Sequence, residues 1–151
     1  MADEAICRKS KLLYHFSANL FNCVIMQLYH IGLNITDKKE IKDFYQDIFG
    51  FKPERDFTLS AAISKRFFGL EKETEVFLMK NGNLTLELFL NGKTTRNGYN
   101  HLCIAVKDRE KTALLCRAAG YPVQRLAREN GDLIFVQDKA GNLFELKSEV
   151  L

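Results

Sequence analysis

Residues 29–37, YHIGLNITD, lie without gaps over residues 100–108, NHLCIAVKD, and this internal repeat limits the chain to folds that use one small unit twice. Each copy has a histidine near its start (His30, His101), runs through apolar residues and closes on an aspartate (Asp37, Asp108). Both read as a strand that ends at a helix start. A short carboxylate accepts hydrogen bonds from the free amides of a first helical turn and suits its positive end.

The helices predicted next carry Ile41, Phe44, Tyr45 and Ile48 in the first copy and Ala113, Leu114, Leu115 and Ala118 in the second, and stop at Gly50 and Gly120. A second strand opens after each glycine. Each copy then closes in a hairpin: strands 74–80 and 84–90 flank Asn81-Gly82-Asn83, and strands 133–137 and 143–147 flank residues 138–142. Both final strands contain a glutamate followed by leucine, Glu87-Leu88 and Glu145-Leu146. The expected unit is strand, helix and three strands, an α+β design spanning about residues 27–91 and again about 99–148. The linker 92–98 is short and polar, so the two units sit close together. Residues 60–69 have no counterpart of equal length in the second copy and are expected to form a helical turn or loop that covers a pocket.

Side chains alternate faces along a strand. His30 therefore shares a face with Gly32 and Asn34, opposite Leu33 and Ile35, and Glu87 shares one with Thr85, Phe89 and Asn91, opposite Leu86 and Leu88. His101 falls with Cys103 and Ala105, and Glu145 with Leu143 and Lys147. If the first and last strands of a unit are neighbours, each unit contributes one histidine and one glutamate to the face away from its helix. Two imidazoles and two carboxylates suit a divalent ion such as Ni, Co, Mn, Fe or Zn, and coordination positions left to water or substrate permit catalysis. A single strand histidine is more often structural than a ligand. Recurrence at equivalent positions is what makes His30, Glu87, His101 and Glu145 a set, and His15 lacks such support.

The 151 residues suffice for one folded body, and 46% apolar residues with 12 Phe supply its core. Twenty-two basic and 19 acidic side chains are scattered, with no basic stripe of the kind that nucleic-acid phosphates require. Cys7, Cys23, Cys103 and Cys116 show no CxxC spacing, which argues for reduced thiols and a cytoplasmic setting. Polar residues interrupt the apolar stretch 12–26 too often for a membrane span. Residues 1–25 are expected to be an extension of a domain over 26–151, or to lie upstream of a true start at Met26.

The segments LYHIGLNITD, FYQDIFGFKP, GNLTLELF, YNHLCIAVKD and VQDKAGNLFELKS together resemble the vicinal oxygen chelate superfamily, which contains glyoxalases, bleomycin-resistance proteins and extradiol dioxygenases. The resemblance covers about residues 27–148 and implies two βαβββ modules whose curled mixed sheets surround a metal. Extradiol dioxygenases and fosfomycin thiol transferases use three protein ligands, bleomycin-binding members generally lack the set, and methylmalonyl-CoA epimerases typically have Gln where Glu87 stands. The full four-residue pattern is most similar to glyoxalase I. It implies a lyase or isomerase that stabilises an enediolate from a ketoaldehyde–thiol adduct, with Glu145 as the proton-transferring base, Glu87 as its opposite number, and a homodimer. An epimerase, dioxygenase, thiol transferase or antibiotic-binding module is the alternative. Asn91 stands where bacterial glyoxalases I contact glutathione, but Asn34 replaces an arginine and cannot supply its charge. The last hairpin also reads DKAG where the family usually reads DPDG, so a small-molecule substrate is implied more firmly than glutathione.

Overall fold

A computed structural model describes residues 27–92, 99–129 and 131–148. The leader, with His15, Cys7 and Cys23, and linker residues 93–98 lie outside them. The first unit runs β1 (Ile31–Ile35), α1 (Ile41–Gln46), β2 (Lys52–Leu59), α2 (Ala61–Phe68), β3 (Thr74–Asn81) and β4 (Leu84–Leu90). The second runs β5 (Leu102–Val106), α3 (Arg109–Ala118), β6 (Val123–Leu126), β7 (Leu133–Gln137) and β8 (Leu143–Ser148).

Each unit forms a four-stranded sheet, ordered β1-β4-β3-β2 and β5-β8-β7-β6. The first and last strands of each are parallel neighbours and the other pairs are antiparallel. This follows from connectivity: a helix returns the chain across the sheet, and the remaining strands then fold back on one another, through α2 between β2 and β3 and through short loops elsewhere. In the first hairpin Gly82, at φ 57°, turns the chain between β3 and β4. Pro53 sits at an irregularity of the edge strand β2, where a missing amide donor is tolerated.

Both aspartates act at helix starts. Asp37 Oδ1 accepts from Lys39 N at 2.9 Å, and Asp108 Oδ1 accepts from Lys111 N at 2.9 Å. The segment α1 is wound with i→i+5 bonds, Asp47 N donating to Lys42 O and Phe49 N to Phe44 O. The face of α3 differs from the expected one. Ala113 and Cys116 are buried, whereas Leu114 and Leu115 are exposed. Contiguous apolar residues cannot all share one side of a helix, and the three-residue spacing from Ala113 to Cys116 is what meets the sheet.

The helix sides of the two sheets share a single core. Phe44 of α1 stacks against Tyr121 at 4.6 Å and Phe144 of β8 at 5.6 Å, so the first unit's helix packs on the second unit's sheet. Around it lie Ile35, Phe49, Met79, Leu86, Leu88, Ile134 and Leu146, all buried. Because faces alternate along β4 and β8, this shared core obliges Glu87 and Glu145 to look outward on opposite sides of the chain.

A buried polar seam also joins the units. Tyr45 Oη donates to Asp138 Oδ2 at 2.7 Å, Asn142 Nδ2 donates to Asn34 O at 2.7 Å, and Lys139 N donates to Glu40 Oε1 at 2.8 Å. Glu40 is fully buried and its Oε2 has no hydrogen-bond partner. Desolvation, with the nearby Asp138 carboxylate, pushes its pKa up to about 7. Between pH 4.5 and 7 the folded chain thus holds a proton that the unfolded chain releases, and stability from this group falls as pH rises through that window. Glu40→Gln should therefore stabilise the protein at pH 8.5 by on the order of 2 kcal/mol and have little effect at pH 4.5. Urea unfolding at the two pH values tests this, and an equal change at both would remove Glu40 as the source.

Candidate metal centre

His30 immediately precedes β1 and His101 immediately precedes β5, each beside the final strand of its own unit. Gly32 pairs with Glu87 in the β1–β4 register, and Cys103 pairs with Glu145 in β5–β8. Parallel pairing at these positions brings each histidine to a glutamate on the face away from the core. His30 Nε2 lies 3.3 Å from Glu87 Oε2, and His101 Nε2 lies 3.5 Å from Glu145 Oε2.

These separations are long for an N–H···O bond, which is commonly about 2.7–3.2 Å. They fit two ligands on adjacent positions of one ion: donors about 2.1 Å from a centre and about 100° apart stand roughly 3.2 Å from each other. The donor chemistry fits as well. His101 Nδ1 is 2.9 Å from Tyr99 O. With the proton on Nδ1 donated to that carbonyl, Nε2 keeps its lone pair on the side of Glu145.

Glu145 is held differently from Glu87. Lys147 Nζ sits 2.6 Å from Glu145 Oε1 and is the main reason its pKa falls below the usual carboxylate value. The carboxylate is therefore ionised at neutral pH, as a metal ligand or a proton acceptor must be. The corresponding neighbour of Glu87, two residues along β4, is Phe89. Cys103 hydrogen-bonds Glu145, and desolvation together with that carboxylate pushes its thiol pKa up, which keeps it protonated.

The four residues meet as two pairs rather than as one cluster. Among the described residues, no three His, Cys, Asp or Glu side chains are grouped closely enough to hold a metal ion. The shared core explains this, since it turns the two pairs to opposite sides. Large apolar side chains lie exposed next to both: Leu28 and Tyr29 precede His30, and Tyr99, fully exposed, precedes His101.

Asn34 and Asn91 are brought together, Asn91 Nδ2 donating to Asn34 Oδ1 at 3.1 Å. Beside them α2 covers a cavity of about 170 Å³ on the Glu87 side of the sheet. Ser60 caps α2 by accepting from Ile63 N, and Gly69 ends it at φ 68°. A larger concavity of about 1220 Å³, between the β3–β4 turn and the start of α3, contains none of the four candidate ligands. Sequence reasoning did not single out Ser64, Glu40 or Asp138. A polar residue in a helix or turn is ordinary until tertiary contacts bury it, so no local signal could have found them.

Two sheets of the order first-last-third-second, joined through their helix sides and bearing a His–Glu pair on each outer face, define a paired βαβββ protein. The chain belongs to the glyoxalase/bleomycin resistance protein/dioxygenase superfamily, whose family model matches residues 27–146. Among solved structures it is similar to a glyoxalase family protein from Bacillus cereus, with 17% identity and a TM-score of 0.67, covering 87% of this chain and 99% of that one. It is also similar to the fosfomycin resistance protein FosX from Listeria monocytogenes complexed with Mn(II) and sulfate, with 20% identity, a TM-score of 0.63 and 84% and 95% coverage. FosX from Mesorhizobium loti, at 17% identity and a TM-score of 0.62, covers 84% and 94%. Curated protein sequences contain no match. No described helix is long and apolar enough to cross a membrane.

Proposed function

We propose that the chain is a metal-dependent isomerase or lyase that moves a proton beside a carbonyl, acting on a small ketoaldehyde–thiol adduct as glyoxalase I does. Each centre would combine His30 and Glu87 of one protomer with His101 and Glu145 of the partner subunit. The observation that carries this reading is the pair of His–Glu separations, 3.3 and 3.5 Å, in two pairs that are not grouped into one cluster within the chain.

Two carboxylates and two imidazoles match a divalent ion in charge and hardness. Such an ion, when bound, neutralises negative charge that develops on a carbonyl oxygen as the adjacent C–H bond breaks. The chain's own residues would do the rest. Glu145, ionised and anchored through Oε1 by Lys147, takes the proton on Oε2 and returns it to the neighbouring carbon. Glu87 would help to hold the ion, and the Tyr99 carbonyl would keep His101 in the tautomer that leaves Nε2 free to ligate. Exposed Leu28, Tyr29 and Tyr99 would be covered by the second protomer, which excludes water from the site.

Protein stripped with chelator and reloaded with Ni(II) or Zn(II) is expected to bind one ion per chain, sediment as a dimer and form thioester from methylglyoxal and glutathione. Ultraviolet absorbance reads the turnover. One ion per chain without turnover would overturn the glyoxalase I-like reaction and favour another metalloenzyme of the superfamily, such as an epimerase. One observation favours that second reading: Asn34 is bonded to Asn91 and offers no cation for a glutathione carboxylate.

A further inference from the structure

Glu40 stands at the N-terminal end of α1, yet its side chain makes no cap bond to its own helix. It reaches instead into the second unit, where Oε1 accepts from Lys139 N at 2.8 Å in the turn between β7 and β8. Asp138, the residue before, is tied in the opposite direction: its Oδ2 accepts from Tyr45 Oη of the first unit at 2.7 Å. Glu40 is 0% exposed and Asp138 2%. Among the described residues neither carboxyl forms an ion pair.

Two neighbouring buried carboxylates without a cation do not both stay ionised, because each loses its hydration and repels the other. Hydrogen bonds decide which keeps the charge. Asp138 accepts from Tyr45 Oη, from Asn142 N at 2.8 Å and from Asn142 Nδ2 at 2.6 Å, whereas Glu40 accepts from Lys139 N and leaves Oε2 without a partner. Glu40 is therefore the protonated member. The other groups facing the pair do not replace that proton. Asp37 adds negative charge beside Glu40, and Asp43 does so beside Tyr121. Lys139 carries its ammonium over the Tyr121 ring, 5.7 Å from the centroid, and burial raises the phenols of Tyr45 and Tyr121 so that both stay neutral.

The pair sits where the two units are joined. Asn142, held by Asp138, donates from Nδ2 to Asn34 O of β1 at 2.7 Å, and β8 with Glu145 begins at the next residue. Loss of the proton leaves two like charges inside this junction, and they are relieved when the seam opens to water. We propose that the Glu40–Asp138 pair is a proton-operated latch between the two units, closed while it holds one proton and loosened when that proton leaves. A closed latch fixes the angle between the two outward faces, which a second protomer must match to complete its centres. That consequence rests on the metalloenzyme reading above; the latch itself does not.

The test uses metal-free, full-length protein. Amide hydrogen exchange is followed by NMR at pH 5.5 and 8.5 and referred to the rates of unstructured peptide at each pH. The Lys139 and Asn142 amides are expected to lose protection roughly 30-fold between the two, the factor for a carboxyl near 7 when closed and 4.5 when open. At pH 8.5 they should also be at least roughly ten-fold less protected than the amides of β4, the mark of a local opening. Glu40→Gln should hold their protection constant across the same range. In the wild type the Glu40 carboxyl carbon, followed by carbon NMR, should titrate near neutral pH. A midpoint at the ordinary carboxylate value overturns the latch whatever the variant does. So does an unchanged loss of protection in Glu40→Gln, or seam amides as protected as those of β4, which would mean that the units part only when the whole chain unfolds. None of these results touches the metal assignment, which the ion stoichiometry reads separately.

Discussion

Mixing two inactive variants, His30→Ala and His101→Ala, should restore both metal binding and turnover. In a heterodimer of the two, one centre loses both histidines, while the other takes its intact His30–Glu87 pair from the His101→Ala chain and its intact His101–Glu145 pair from the His30→Ala chain. Random exchange makes half of the dimers mixed, so recovery should approach about a quarter of wild type. Each variant alone should stay near background, because every proposed centre would then lack one of its four ligands. The physical basis is the shared core: Phe44 packs against Phe144 and Tyr121, and that contact sends Glu87 and Glu145 to opposite sides. If instead one chain assembled a whole centre, no mixture would recover anything. Activity after mixing, compared with each variant alone and with metal content per chain, separates the two.

Glu145→Gln should cost turnover about 10²- to 10⁴-fold, the range lost when a positioned general base is removed, while an ion is still bound and the dimer persists. Gln keeps an oxygen for the metal and a shape close to that of the native side chain, so the loss would read proton transfer rather than assembly. Lys147 gives an internal reason for choosing Glu145, since it holds Oε1 and keeps the group ionised with Oε2 turned to His101. Full activity in this variant would move the base elsewhere, with Glu87→Gln as the next substitution to measure.

Strand parity in the sequence separated His30 and Glu87 from Leu33, Ile35, Leu86 and Leu88 without any coordinates, and the sheet pairings put the same leucines and isoleucine into the core. It works because a strand has a strict two-residue period and one of its faces must be apolar. Helical periodicity was less informative for α3, where four apolar residues within six positions left the buried face undetermined and the sheet selected Ala113 and Cys116. The segment 60–69 was legible as an insertion because the second copy has none. Its regular helix, and the cavity it closes, depend on the contact of Phe68 with Phe89 of β4, which lies far along the chain.

By itself the sequence determined the repeat, the unit of strand, helix and three strands, and which residues of each strand share a face. Those properties are local: they follow from side-chain alternation, aspartate caps and glycine turns within a few residues. Only the tertiary structure decided how the two units meet, and with it that the two His–Glu pairs look away from each other and that Glu40 is buried beside Asp138. The core between the helix sides has no local signature. It arises where aromatic surface from α1 and β8 can be removed from water together, and residues far apart in the chain settle that choice jointly.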